Sequence, residues 1–152
     1  MTQLKILNAK QIKIIRQKIL EQWGADFKTD FAFLISSKNK IYIVSRDISK
    51  ICYEKLNVDV VGLYFGEIMK NGELRLSIEG SQLIGSKATK NVVEISDEDV
   101  RKWLFGENIK TESKCSGFII LKNKNDFLGT GKIKENEIIN FVPKIRRISS
   151  EN

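Results

Sequence analysis

Residues 117–148, GFIILKNKNDFLGTGKIKENEIINFVPKIRRI, decide the fold of this chain. Three short apolar runs lie at 117–121, 127–133 and 138–142, each rich in β-branched or aromatic residues, and the polar stretches KNKND and KENE separate them. Runs of that composition bounded by polar turns predict an antiparallel β-meander. The middle run carries Gly129 and Gly131, two apart and therefore on one face of a strand. Glycines inside a strand mark a bulge, a barrel corner, or a place where another backbone or a ligand comes close. The last run stops at Pro143, and a basic tail follows with Lys144, Arg146 and Arg147. Together these features predict a small closed β-barrel with a basic exit strand, a shape suited to gripping a phosphate backbone.

Immediately upstream, residues 92–95 read as a strand and Ser96 as the start of a helix, with Asp99 three residues later completing a capping box. Asp97 and Glu98 suit the positive end of that helix dipole, which accounts for the acids without catalysis. The helix is expected to end at Gly106, with Val100, Trp103 and Leu104 as its apolar contacts and an irregular stretch after it to Ser116. The polar segment SKATKN, residues 86–91, has no periodicity and is expected to be a short linker. The division is therefore an N-terminal α+β domain over 1–90 and a barrel domain over 91–152.

The first domain opens with a helix over residues 9–23. Asn8 is the N-cap, Gln11 completes a capping box and Gly24 stops it. Ile12, Ile15, Ile19 and Trp23 make one apolar stripe, with Lys10, Lys13 and Lys18 largely off it. Residues 31–36 and 40–45 read as a hairpin around SKNK, residues 47–56 as a helix, and 60–69 and 73–79 as strands around Lys70-Asn71-Gly72. Asn-Gly in a two-residue hairpin loop lets both residues take positive φ. A polar helical piece follows over 80–87. The fold class is α+β, an antiparallel sheet with packed helices followed by a mixed β-barrel.

Apolar residues are 41% of the 152 and charged residues 30%, enough for a core and a soluble surface. No apolar run approaches the roughly 18 residues a membrane span needs, and the start MTQLKILNAK has no signal-peptide character. A cytoplasmic location without membrane contact is expected. Net charge is +7. Residues 1–90 carry 15 Lys and Arg against 9 Asp and Glu; from 101 to 150 the ratio is 11 to 5. An excess of this kind favours anionic partners, nucleic acid before membrane.

Histidine is absent, which removes the commonest general base, every Ser-His or Cys-His dyad and every imidazole zinc site. Cys52 and Cys115 stand in no motif and are expected to be reduced thiols. Gly129 and Gly131 lack a third glycine for a dinucleotide loop, and Gly131-Lys132 is followed by Ile133 rather than Ser or Thr. Carboxylates such as Asp47 and Glu67 are not paired on one pocket by any pattern. No catalytic residue, metal or cofactor is expected.

The order strand, acid-capped helix, Gly106, loop, GFIIL, DFLGTGKI and returning strand resembles the PUA domain, most specifically at Leu128-Gly129-Thr130-Gly131-Lys132. The ending PKIRRI resembles the tails of archaeal PUA domains on RNA-modifying enzymes, and in particular those accompanying rRNA cytosine methyltransferases. In the first half, KIYIVSRDISKI, GLYFGEIMKNGELRLSIEGSQLI and then WLFGENI are similar to the NIP-seven family of ribosome-biogenesis proteins, which pair a pre-PUA α/β domain with a PUA barrel. That resemblance implies a non-catalytic, archaeal-like RNA-binding factor acting on ribosomal or precursor RNA, alone or with a ribosome-assembly or RNA-modification partner. An adaptor role and a detached specificity module for a methyltransferase are the alternatives it leaves. Carried onto this chain, the PUA surface of helix, following loop and last strand nominates Arg101 or Lys102, Lys110, Lys132, Lys144, Arg146 and Arg147 for RNA, with Gly129 and Gly131 letting the RNA backbone approach. On an extended tail Lys144 and Arg146 share a face, joined by Lys132, and Arg147 points away. Phe105, Phe127 and Phe141 are candidate stacking platforms, each competing with a place in the core.

Overall fold

The structure is a computed structural model and describes residues 4–44 and 62–148. The expected helix at 47–56, with Asp47 and Cys52, lies outside the described residues. The chain begins with an antiparallel sheet in the order β1 (Leu4–Ile6), β2 (Ala32–Ser36), β3 (Lys40–Val44), β4 (Leu63–Ile68) and β5 (Leu74–Leu76). Helix α1 (Ala9–Trp23) packs on it. Both arms of its capping box form between Asn8 and Gln11, and Gly24 closes it at φ 65°. Ile15, Ile19 and Trp23 point inward and are buried together with Phe27, Phe33 and Phe65. The Phe27 and Phe65 rings stack with centroids 5.6 Å apart.

Two local expectations change here. In the β4–β5 turn only Gly72 takes positive φ (89°); Asn71 does not. Gly72 N donates to Met69 O and Met69 N to Glu73 O, so the loop has three residues with the glycine completing it. Asn71 instead accepts from Glu73 N through its side chain. Strand β5 is also shorter than its alternating pattern implied. Ser77 Oγ accepts from Gly80 N and donates to Tyr64 O, and a serine that caps an N-terminus in this way starts a helix. Ile78 and Glu79 therefore belong to α2 (Ile78–Gly85).

The second sheet is mixed and curls into a half-barrel. Its order is β6 (Val92–Glu94), β8 (Phe118–Asn123), β9 (Asp126–Lys134), β10 (Glu137–Asn140) and β7 (Ile109–Lys110), with β6 parallel to β8 and the other pairs antiparallel. It is open between the edges β6 and β7 rather than fully closed. Strand β7 falls in the stretch expected to be irregular. Helix α3 (Asp97–Leu104) starts at Ser96, whose side chain accepts from Asp99 N, and plugs the half-barrel with a fully buried Trp103. The Trp103 indole donates to Leu128 O at 3.3 Å.

Strand alternation on β8 joins the two halves. Ile119 and Leu121 face the half-barrel core with Trp103 and Ile138, while Phe118 and Ile120 face the core of the first sheet. The hydrophobic cluster of the first sheet thus extends across the expected linker, and β8 joins it to the separate cluster inside the half-barrel. The linker is itself bound: Thr89 N and Lys90 N donate to Trp23 O, and the Asn91 side chain donates to Gln22 O. A buried hydroxyl, Thr130 Oγ1, donates to Leu76 O at 2.8 Å and ties β9 to β5.

Candidate nucleic-acid interface

The basic tail is not a strand. Asn140 ends β10 by turning its side chain onto neighbouring backbone: Oδ1 accepts from Val142 N at 2.8 Å, and Nδ2 donates to the carbonyls of Trp103 and Glu107. Pro143 then has no N–H for a ladder. Residues Lys144–Arg146 close a 3-10 turn, and Ile148 N donates to Leu104 O at 3.0 Å. The alternation expected on an extended tail is therefore replaced. The gain is that the tail is hydrogen-bonded onto the C-terminal end of α3. Arg101 and Lys102, in the last turn of α3, share that end of the half-barrel with Lys144, Arg146 and Arg147.

These five cations are engaged very differently. Arg146 pairs with Glu79 of α2 across a partly exposed gap. Arg147 is half-buried, donates from Nε to Val142 O at 3.0 Å, and lies against Gly106, where any β-carbon would collide with its guanidinium. Gly106 also stands at φ 93°, so the glycine is required twice over. Lys102 reaches Glu98 one turn back at 4.0 Å, a weak surface pair. Arg101 and Lys144 are exposed and make no ion pair among the described residues. Between Lys144 and Arg146, Ile145 is 92% exposed, an apolar side chain held in water among cations.

The remaining candidates are elsewhere. Lys110, on β7, lies at the other end of β10, paired in register with Glu137 and close to Asn136. Lys132 does not join Lys144 and Arg146. Its ammonium is 5.3 Å from the centroid of Phe118, on the face of β9 turned to the first sheet. Gly131 is not open to a ligand backbone. A β-carbon there would meet Ile138 and come within 2.9 Å of Trp103 Cη2, so the glycine makes room for the tryptophan. Gly129, at φ 117°, has Ile78 of α2 3.3 Å from where a β-carbon would stand and, unlike Gly131, lines a groove beside the tail. Of the three aromatic candidates, Phe127 packs on Gly85 and Phe105 ends α3, half-buried. Phe141 stacks at an angle on Phe118 and carries the Arg75 guanidinium 4.9 Å from its centroid.

A groove of about 340 Å³ runs between the halves beside the tail, lined by Tyr64, Arg75, Glu79, Phe141, Ile145 and Arg146. Burial raises the Tyr64 phenol above its ordinary value, with the Arg75 charge opposing, so it is a neutral hydroxyl at physiological pH. At the far end of α3, hydrogen bonding from Asn123 and the Lys124 charge hold the Asp97 carboxyl below the usual carboxylate range. Asn123 Nδ2 donates to both Asp97 Oδ1 and Ile95 O, fixing the helix start to the end of β8. Lys38, Lys70 and Arg75 stand in turns and a strand that the sequence predicts, but no sequence pattern gives them a binding role. The only signal for them was the basic surplus of the first half.

An α+β half followed by a mixed half-barrel with a tryptophan-plugged helix and a docked basic tail is consistent with the two domain models that the chain matches, a pre-PUA domain followed by a PUA domain, the latter a type of domain that binds RNA. The chain's parts can be assigned more closely: residues 4–78 match the NIP7/UPF0113 pre-PUA domain, and residues 90–148 match the Methyltransferase RsmF PUA domain. Among curated proteins the chain is similar to the Ribosomal RNA small subunit methyltransferase F of Aeromonas salmonicida, 31% identical over 91 residues, or 59% of this chain and 19% of that protein. It is also similar to the protein of that name from Vibrio cholerae, 23% identical over 136 residues, or 89% of this chain and 28% of that protein. The chain thus spans well under a third of the length of these relatives.

Proposed function

We propose that this chain is a non-catalytic RNA-binding protein that acts on ribosomal or precursor RNA in rRNA processing and ribosome biogenesis, in the cytoplasm. The observation that carries this is the docking of the basic tail onto α3, which sets exposed Lys144 and Ile145 against the helix end whose last turn carries exposed Arg101, with Arg101 and Lys144 making no ion pair among the described residues. Cations there suit phosphates, which position RNA without reading it. The neighbouring apolar tip and the Phe141–Arg75 stack suit an unstacked base. The non-catalytic part of the reading rests on the sequence, which has no histidine and no phosphate-loop motif.

A second reading has its own support. Both the PUA match and the relatives point to rRNA methyltransferases. The chain would then serve as a recognition module for such an enzyme, or as an adaptor between RNA and a protein partner. Capture of a methyltransferase by the full chain, with methyl transfer to rRNA stimulated in its presence, would favour that reading.

The direct test is binding of single-stranded RNA at several salt concentrations. Each phosphate contact contributes about −0.7 to the slope of log affinity against log salt. Arg101→Gln with Lys144→Gln should flatten the slope by about 1.4, with folding unchanged by circular dichroism. An unchanged slope in a folded variant would remove this end of the half-barrel from the interface.

A further inference from the structure

Lys132 is displaced from the tail, and its surroundings give it a different role. It shares an open concavity of about 500 Å³ with Lys38 and Lys70. Lys38 comes from the β2–β3 turn, Lys70 from the β4–β5 turn, and Lys132 from the middle of β9. Three lysines from three separate parts of the chain thus meet where the two halves join. Asn39 and Asn71 add polar groups to the same wall.

Like charges gathered in a concavity repel, and proteins ordinarily place carboxylates among them. Here none of the three lysines makes an ion pair among the described residues. The one carboxylate on the wall, Glu67, faces Arg75 at 3.7 Å. Arg75 in turn covers Phe141, so the local acid is already balanced from the far side. Lys38 and Lys70 are exposed on turns, while Lys132 is half-buried with its ammonium over Phe118. The result is a concave surface whose three lysines outnumber its one, already paired carboxylate over a low-dielectric floor, which focuses the field on an anion. The buried Glu73 carboxylate lies behind this wall, 3.8 Å from where a β-carbon would stand on Gly117. Lysine is a compact point charge on a flexible stem, suited to phosphate without the two-pronged geometry that arginine uses to read a planar partner.

We propose that this junction concavity is a second RNA-backbone site, separate from the tail and made jointly by both halves. It rests on the RNA-binding reading above and extends it: the pre-PUA half contacts RNA itself, through its hairpin turns. Because the site spans the junction, it needs the fixed relation of the halves that Thr130 and the shared core enforce.

The test uses the full chain and a single-stranded RNA oligonucleotide across a salt series. Lys38→Gln, Lys70→Gln and Lys132→Gln together should flatten the salt slope by about 2, at about 0.7 per contact, and weaken binding at least tenfold in dilute buffer. A control lacking the same number of charges at Lys10, Lys13 and Lys114 should keep most of the slope. Circular dichroism and thermal melting establish that both variants fold. Equal losses in the two triple variants would reduce the effect to net charge and overturn the site. A normal slope in the junction variant, with the Arg101 and Lys144 pair still sensitive, would overturn this inference alone. Wild-type protein that ignores RNA even at low salt would take down both.

Discussion

The end of the half-barrel and the junction concavity carry the same kind of charge but hold it differently. At the tail, most cations are tied to the protein: Arg146 to Glu79, Arg147 to Val142 O, Lys102 to Glu98. Among the described residues only Arg101 and Lys144 make neither an ion pair nor a side-chain hydrogen bond there, since Arg147, without an ion pair, is held by the Val142 carbonyl. At the junction none of the three lysines makes an ion pair among the described residues. The difference teaches that a run of basic residues in sequence, such as PKIRRI, overstates the charge available to a ligand. Part of that run is consumed in holding the tail against α3. The turns of the first sheet, where no run exists, present Lys38 and Lys70 exposed and without ion pairs among the described residues.

Three changes would break or sharpen this contrast. The largest effect is expected from Trp103→Ala. The side chain is fully buried between α3, β9 and β10, and such truncations cost about 3–5 kcal/mol. Chemical denaturation should show that loss, and the tail should detach with α3, so RNA binding through Arg101 and Lys144 should fail before binding through the junction does. Gly72→Ala comes next. Gly72 stands at φ 89° in the turn that presents Lys70, and a side chain in left-handed backbone costs about 1 kcal/mol. Its neighbourhood is otherwise open, so the fold should survive with a lower melting temperature and a weakened junction site. The smallest effect concerns acid. Asp97 has its pKa lowered in the folded state, so its stabilising share is present above the unfolded value and is lost as pH falls through the folded one. Asp97→Asn should therefore flatten the acid limb of the stability curve slightly below about pH 4 and leave the RNA salt slope unchanged.

Local signals carried far in this chain. Asn8, Gln11 and Gly24 bounded α1, and Ser96 opened α3, because caps act through backbone groups within a few residues. The three meander strands followed from composition and turns. Local signals failed where one residue chose between two partners. Ser77 continues an alternating strand in the sequence but caps a helix in the fold. Ile109 and Lys110 look irregular and become an edge strand only because β10 offers them a ladder. For Gly131 the sequence left two readings open, ligand approach or tight packing, and the Trp103 ring decided for packing.

The sequence by itself determined the α+β class, the capped helices, the meander and the basic character of the protein, since each depends on neighbours along the chain or on composition alone. Tertiary structure decided which cations stand together and which are already spent. Lys38, Lys70 and Lys132 are remote in sequence and meet because β8 buries one face in each of two hydrophobic clusters and so locks the two sheets together. Charge acts through space rather than along the chain, so only that packing could turn scattered lysines into a surface.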